Sequence, residues 1–292
     1  MSRSFVYKNK VAKENDPKGY AVNWIKEGSL DKSVNILDVG CACGDFGIAV
    51  VENEISGEIW GLEYDIDSVD YAKSLDIYKD IYQVDLNNFS EEKYKNFVGY
   101  FDYIFFGDVL EHILFPEQII KKFKSFLKKE GKIIISIPNI SHASIKANIL
   151  LNNFDYTEAG ILDETHIKFF TYKTFVKFLT DAGLKIEKFK PTFFGPLGTQ
   201  KNDPYQQLPF AIKTFISQDP HSFVIQYVVE CSVEDESKTK NEIYSNNLSI
   251  IESYISKNIE MIMNYADKRI IFSKKERKRF YQKIQKLLNF FS

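Results

Sequence analysis

Hydrophobic residues in this 292-residue chain follow two different periods. From residue 35 to about 140, short runs of β-branched and aromatic residues alternate with segments whose apolar positions recur at helical spacing. That alternation predicts βα units on a parallel sheet. Five strands are expected: Asn35 to Gly40 (NILDVG), Ile59 to Tyr64 (IWGLEY), Ile81 to Leu86 (IYQVDL), Phe101 to Asp108 (FDYIFFGD) and Lys132 to Asn139 (KIIISIPN). Their near-continuous apolar character implies helices on both sheet faces. The clearest helix is predicted over Pro116 to Lys129, with Pro116 in the first turn, Ile119, Ile120, Phe123 and Leu127 on one face, and Glu130-Gly131 as the stop.

Residues 141–170 break the alternation with a short helix and a polar, irregular stretch, expected to be a lid insertion. Helix returns from Thr171, a capping residue, to Ala182, and Gly183 stops it. Two more strands are expected at Leu184 to Pro191 and Ser222 to Glu230. Residues 193–221 between them exceed an ordinary loop and are expected to face the substrate. After Cys231 a polar linker, SVEDESKTKN, precedes two amphipathic helices over 243–291. Ile251, Ile255, Ile259, Ile262 and Ala266 stripe the first, and Phe280, Ile284, Leu287, Leu288 and Phe291 the second. They read as an antiparallel C-terminal helical pair hinged near Phe272-Ser273, a packing or homodimer module over 233–292 beside a domain over 1–232.

Composition narrows the partners. Lys+Arg 38 against Asp+Glu 40 leaves a formal charge of -2, so no global field recommends a nucleic acid. The run Lys274-Lys275-Glu276-Arg277-Lys278-Arg279 is read as a solvated helix face, with peripheral membrane contact the less favoured use. Cys41, Cys43 and Cys231 are too few and too badly spaced for a disulfide framework or a zinc set. With no apolar run near the roughly 18 residues a membrane span needs, and no leader-like start, a cytoplasmic location is expected.

The sharpest chemical signal is Asp38-Val-Gly-Cys-Ala-Cys-Gly44, which closes the first strand and opens a helix. Gly40 and Gly44 let the backbone turn sharply and let a ligand approach main-chain atoms. Glu63, at the end of the second strand, can accept hydrogen bonds from both hydroxyls of a ribose. Together they describe an adenosine site. Asp45 stands at the helix N-terminus, where the pyrophosphate of NAD would lie, and a second anion there is unfavourable. S-adenosylmethionine carries an ammonium and a sulfonium instead, so Asp38 and Asp45 favour it over NAD.

Five stretches, ILDVGCACGDFG, WGLEYD, VDLNN, FDYIFFGDVLEHI and LKKEGKIIISIPN, resemble in order and spacing the class I S-adenosylmethionine-dependent methyltransferases over about residues 20–230. The resemblance implies a Rossmann-like α/β fold, a seven-stranded sheet of order 3-2-1-4-5-7-6 with strand seven antiparallel. It implies that Asp38, Gly40 and Gly44 line the methionine part, Glu63 the ribose, Asp85 and Leu86 the adenine, and Asp108 the mouth of strand four. Ala42 departs from the usual glycine, which a negative φ would make harmless. A narrower likeness, in DETHIKFFTYKTFVKFLTDAGL, is to methyltransferases of bacterial surface-polysaccharide assembly.

Methyl transfer to a hydroxyl needs a proton removed, and histidine suits that task near neutral pH. His112 after strand four is the first choice of base and His166 in the lid the second, with Asp108 as an acid/base partner. His142 is a weaker candidate, His221 is read as a turn residue, and Glu111 as orienting a neighbour or facing solvent. A metal-assisted transfer would need converging oxygen ligands; Asp108 and Asn139 offer two and no third is visible, so no metal is expected. The expected activity is methyl transfer from S-adenosylmethionine to a hydroxyl of a small polar, carbohydrate-related acceptor. An N- or carboxyl-methyltransferase and an inactive scaffold are the rivals.

Overall fold

Seven strands form one mixed sheet of order β3-β2-β1-β4-β5-β7-β6 in the computed structural model, which describes residues 16–30, 32–193, 204–234 and 238–262. The chain runs α1 (Pro17–Gly28), β1 (Val34–Val39), α2 (Asp45–Glu52), β2 (Gly57–Glu63), α3 (Ile66–Ser74), β3 (Asp80–Gln83), β4 (Phe101–Gly107), α4 (Pro116–Phe123) and β5 (Leu127–Pro138). It continues through α5 (Ala143–Leu150), α6 (Tyr172–Asp181), β6 (Leu184–Phe193), α7 (Pro204–Gln207), α8 (Phe210–Ser217), β7 (Val224–Val233) and α9 (Lys240–Lys257). The first five strands pair in parallel, and β7 lies antiparallel between β5 and β6. Strand order and direction are those expected from the sequence.

The apolar strands are covered on both faces. Leu37, Val39, Ile104, Phe106, Ile133 and Ile135 point into one core, while Ile36, Ile59, Phe105 and Ile134 point into another under α1 and α2. Because β2 and β3 lie to one side of β1, and β4 and β5 to the other, the connections diverge between β1 and β4. A crevice beyond the carboxyl ends of these strands is where such sheets bind ligands.

The helix expected over Pro116 to Lys129 ends early, at Phe123. The backbone N–H groups of Gly99 and Tyr100 donate to Ser125 and Phe126 carbonyls, and Leu127 pairs with Phe101, so β4 captures this segment as the start of β5. Ile119, Ile120 and Phe123 are buried as the periodicity requires. Residues 204–207 and 210–217 of the expected long insertion are helical, and Tyr205 ties the two helices together by donating to the Lys213 carbonyl at 3.0 Å.

Residues 141–170, expected to be a lid insertion, are fastened to the sheet: Asn139 bridges Phe170, and the N–H groups of Ile167 and Lys168 both donate to the Glu111 carbonyl at 2.9 Å. At the far edge, α9 packs on β6 and α6 and joins the principal core, with Ile251 and Ile255 buried in it. Asn247 lies in this contact, accepting from Ile186 N–H and donating to the Leu184 carbonyl. The first C-terminal helix therefore completes the domain expected to end at residue 232. The second helix, the hinge at Phe272-Ser273, the basic run and the dimer surface placed on them lie outside the described residues. Among the described residues no helix is long and apolar enough to cross a membrane.

Candidate active site

The turn Gly40 to Gly44 stands at the end of β1 and leads into α2. Gly40 has φ +73°, and a Cβ there would lie 2.4 Å from Val109 Cγ2, so only glycine lets the turns after β1 and β4 approach this closely. Ala42 has φ +46°, contrary to the negative value that would make an alanine harmless. The conformation is held by its N–H, which donates to Glu63 Oε2 at 2.8 Å. Glu63 Oε1 accepts from the N–H groups of Tyr64 and Asp65, each at 2.8 Å. With three backbone donors on four lone pairs, Glu63 keeps one acceptor position, on Oε2.

Asp38 is 2% exposed and accepts a hydrogen bond from the Tyr78 hydroxyl at 2.7 Å. Burial outweighs that bond and pushes its pKa up to about 7. Asp45 pairs with Lys18 at 3.0 Å, which offsets its charge at the helix N-terminus. Asp85 accepts from Asn87 N–H and so caps the short turn that begins at Leu86, which is itself buried. Sequence reasoning missed Tyr78 and Lys18, because each comes from an element that folds back onto the turn with no local pattern announcing it.

Asp108 sits in the left-handed region at φ +56°. Its carboxylate accepts from Ser136 Oγ at 2.8 Å and Gln226 Nε2 at 2.7 Å, and burial raises its pKa. These bonds fix it as a rigid acceptor at the end of β4.

Immediately beyond it, Glu111, His112 and His166 converge, with one ligand-type atom from each within 4.8 Å of the others. The two histidine rings meet edge to face at 4.7 Å between centroids. His166 Nδ1 lies 3.0 Å from the Ile161 carbonyl, which can only accept, so Nδ1 carries the proton and Nε2 presents a lone pair. His112 Nδ1 lies 3.2 Å from the Thr165 carbonyl and 3.0 Å from Thr165 Oγ1. That hydroxyl spends its proton on Asp163 Oδ1 at 2.6 Å, so His112 Nδ1 is also a donor and its Nε2 is bare. Burial lowers the pKa of both histidines, keeping them neutral.

Glu111 is 1% exposed and neither carboxylate oxygen has a hydrogen-bond partner, contrary to the solvent-facing or orienting role expected for it. Burial first, then the charges of Asp108 and Asp163, pushes its pKa well above the usual range. Sequence spacing placed it beside His112, but its burial depends on the lid segment, which lies 50 residues later.

The remaining candidates are structural. His142 is fully buried and caps α5, its Nδ1 accepting from Ser144 N–H. His221 stacks on Tyr172 at 3.8 Å, and burial lowers its pKa to about 4. Asn139, weighed as a metal ligand, spends its amide on the His221 and Val224 carbonyls and on Ser141. Cys41 and Cys43 are buried turn residues. A surface depression lined by Pro116, Lys168, Phe170 and Thr174 shares no residue with the turn or the histidine cluster.

The turn after β1 offers features that a nucleoside with cationic substituents would use. The glycine turn admits close backbone approach, Glu63 has an open lone pair, and Asp38 is a buried acid whose ionised form awaits a positive partner. S-adenosylmethionine meets each requirement.

The sequence matches a methyltransferase-domain family over residues 10–188. No curated protein matches it significantly. Among solved structures it is similar to an O-methyltransferase of a trans-AT PKS multienzyme from Brevibacillus brevis, in complex with S-adenosyl-L-homocysteine. The identity is 16%, over 90% of this chain and 85% of that one, with a TM-score of 0.54. It is also similar to magnesium protoporphyrin IX methyltransferase from Synechocystis PCC 6803 with bound S-adenosylhomocysteine, at 14% identity, 75% and 82% coverage and a TM-score of 0.50. A 4+2 cyclase shares the fold as well, at 15% identity, 79% and 91% coverage and a TM-score of 0.50.

Proposed function

The chain belongs to the methyltransferase-domain family and is an S-adenosylmethionine-dependent methyltransferase, and from that premise we propose that its acceptor is a hydroxyl of a small polar molecule of the sugar or nucleotide-sugar kind. The observation that carries the hydroxyl is the pair of neutral histidines beyond β4, each with Nδ1 held by a backbone carbonyl and Nε2 left as a lone pair. A hydroxyl needs such an acceptor for its proton, whereas a carboxylate substrate would gain nothing from one. The carbohydrate class rests on the likeness of the Asp163 to Leu184 segment to polysaccharide-modifying enzymes.

In this reading, Gly40, Gly44 and Asp38 receive the methionine part, Glu63 accepts from the ribose, and Asp85 and Leu86 bound the adenine. S-adenosylmethionine supplies an electrophilic methyl group when bound. Asp108, immobilised by Ser136 and Gln226, orients the acceptor at the mouth of β4. His112 or His166 holds the departing proton at Nε2, and the fastened lid segment excludes water. The chain's contribution is chiefly positioning, with proton removal added.

The test is incubation with methyl-labelled S-adenosylmethionine and a panel of nucleotide sugars, sugar phosphates and cell extract, followed by identification of the labelled product. An ether-linked methyl on a sugar supports the reading. A methylated amine or carboxylate as the sole product overturns it.

A further inference from the structure

Beyond β4, one ligand-type atom from each of Glu111, His112 and His166 lies within 4.8 Å of the other two. Glu111 Oε1 lies 3.8 Å from His166 Nε2, too long for a hydrogen bond in either protonation state. If Glu111 is ionised, its two oxygens are buried without a donor. If it is protonated, its O–H has no acceptor at hydrogen-bond distance. Either state leaves an unsatisfied polar group at 1% exposure, which folded proteins rarely tolerate without a further partner.

We propose that Glu111, His112 and His166 form a binding site for a single divalent transition cation, with Zn²⁺ the fitting ion. The set is one carboxylate and two neutral imidazoles, which suits borderline ions better than Mg²⁺ or Ca²⁺, whose preference is for oxygen. Atoms ligating one ion at about 2.1 Å sit roughly 3.0 to 3.5 Å apart, so the 3.8 Å Glu111–His166 separation needs a small contraction, and pairs within the 4.8 Å spread of the cluster would have to close by up to about 1 to 2 Å. The supporting contacts are those ligating histidines require. Each Nδ1–H is given to a main-chain carbonyl, Thr165 for His112 and Ile161 for His166, which orients the ring and leaves Nε2 to bind. Asp163 holds Thr165 in place through its N–H and hydroxyl. Glu111 is held at its own backbone, where its carbonyl accepts from Ile167 and Lys168 and so draws His166 to His112.

Three protein ligands leave coordination positions open, and an oxygen of the acceptor is the natural occupant. This part rests on the hydroxyl-acceptor reading above; ion binding itself does not. With the ion in place the Nε2 lone pairs are committed to it and cannot also take the proton; the ion would lower the hydroxyl pKa so that its proton leaves to solvent water, and the oxygen then takes the methyl group as S-adenosylhomocysteine departs.

The experiment titrates the chelator-stripped full chain with Co²⁺ and follows its visible absorption, then repeats the titration on Glu111→Gln and His166→Asn. The expected result is about one equivalent bound, displaced by Zn²⁺, with affinity falling about tenfold or more in each variant. Retained S-adenosylhomocysteine binding identifies variants that remain folded, and the wild-type titration stands even if neither does. No stoichiometric binding, or binding unaltered in folded variants, overturns the site and leaves the cluster as a water-filled base pocket. Stoichiometric binding by a protein that methylates only amines sustains the site and overturns the hydroxyl reading instead, so the two failures are separable.

Discussion

Glu63 Oε2 accepts the N–H of Ala42 at 2.8 Å, tying the turn after β1 to the end of β2. An alanine at φ +46° costs about 1 to 2 kcal/mol, and a hydrogen bond to a charged acceptor is of the size needed to offset it. Glu63 thus shapes the cofactor turn as well as offering an acceptor to the ribose. Glu63→Ala should weaken S-adenosylhomocysteine binding by about 1 to 3 kcal/mol in titration calorimetry and also lower the melting temperature of the ligand-free protein. Lost affinity with an unchanged melting temperature would deny the turn-holding role.

Asp38 makes cofactor binding and stability depend oppositely on pH. Its pKa is about 7 in the folded protein against the usual 3.8, so the folded state binds this proton more tightly. Its contribution to stability is full below pH 3.8 and is lost as the pH rises toward 7, by at most about 4 kcal/mol. A cationic ligand beside the carboxylate reverses this by favouring the ionised form. The rise in melting temperature given by saturating S-adenosylmethionine should therefore grow between about pH 5.5 and about pH 7.5. Asp38→Asn should flatten that dependence, and an equal rise at both pH values in the wild type would exclude Asp38 as the cation's partner.

The first C-terminal helix tests the domain boundary. Asn247 is fully buried and satisfies Ile186 N–H and the Leu184 carbonyl, while Ile251 is fully buried in the principal core. Ile251→Ala should cost about 2 to 5 kcal/mol in denaturant unfolding, and Asn247→Ala about 1 to 3 kcal/mol through the two groups it abandons. Values near zero for both would mean that α9 is a dispensable appendage.

What could be read in advance follows from the range of the forces involved. The strands, the turn glycines and the α6 cap are encoded by neighbours within a few residues, and the parallel order follows once the chain alternates strand and helix. Leu127 misled because an apolar residue at helical spacing satisfies a strand equally well, and the Gly99 and Tyr100 N–H groups decide between them. The stripe Ile251, Ile255, Ile262 was legible, but its partner, the exposed edge of β6, carries no mark in the linear pattern. Glu111 looked like a surface acid for the same reason: its burial is imposed by residues 161–168, and only the folded lid brings His166 to it.

The three histidines near the site separate by what their ring nitrogens do, which turns one mutational series into a test of mechanism. His142 is wholly buried and its Nδ1 caps α5, so His142→Ala should lower stability by about 1 kcal/mol or more and leave turnover per folded molecule within a few-fold. His166 presents a bare Nε2 3.8 Å from Glu111 Oε1, His112 lies in the same cluster with its Nδ1 held by Thr165, and a group acting on the acceptor's proton contributes roughly 100- to 10,000-fold. His166→Ala or His112→Ala should therefore cut kcat at least about 100-fold while leaving S-adenosylhomocysteine affinity nearly unchanged. A double variant should be little worse than either single one, because residues acting as a unit lose their effect together. Steady-state kinetics on the identified acceptor, with active protein counted by S-adenosylhomocysteine titration, decides it. If both single variants keep most of their kcat, proton removal is not part of the rate-determining chemistry and alignment by Asp108 and the β1 turn must suffice.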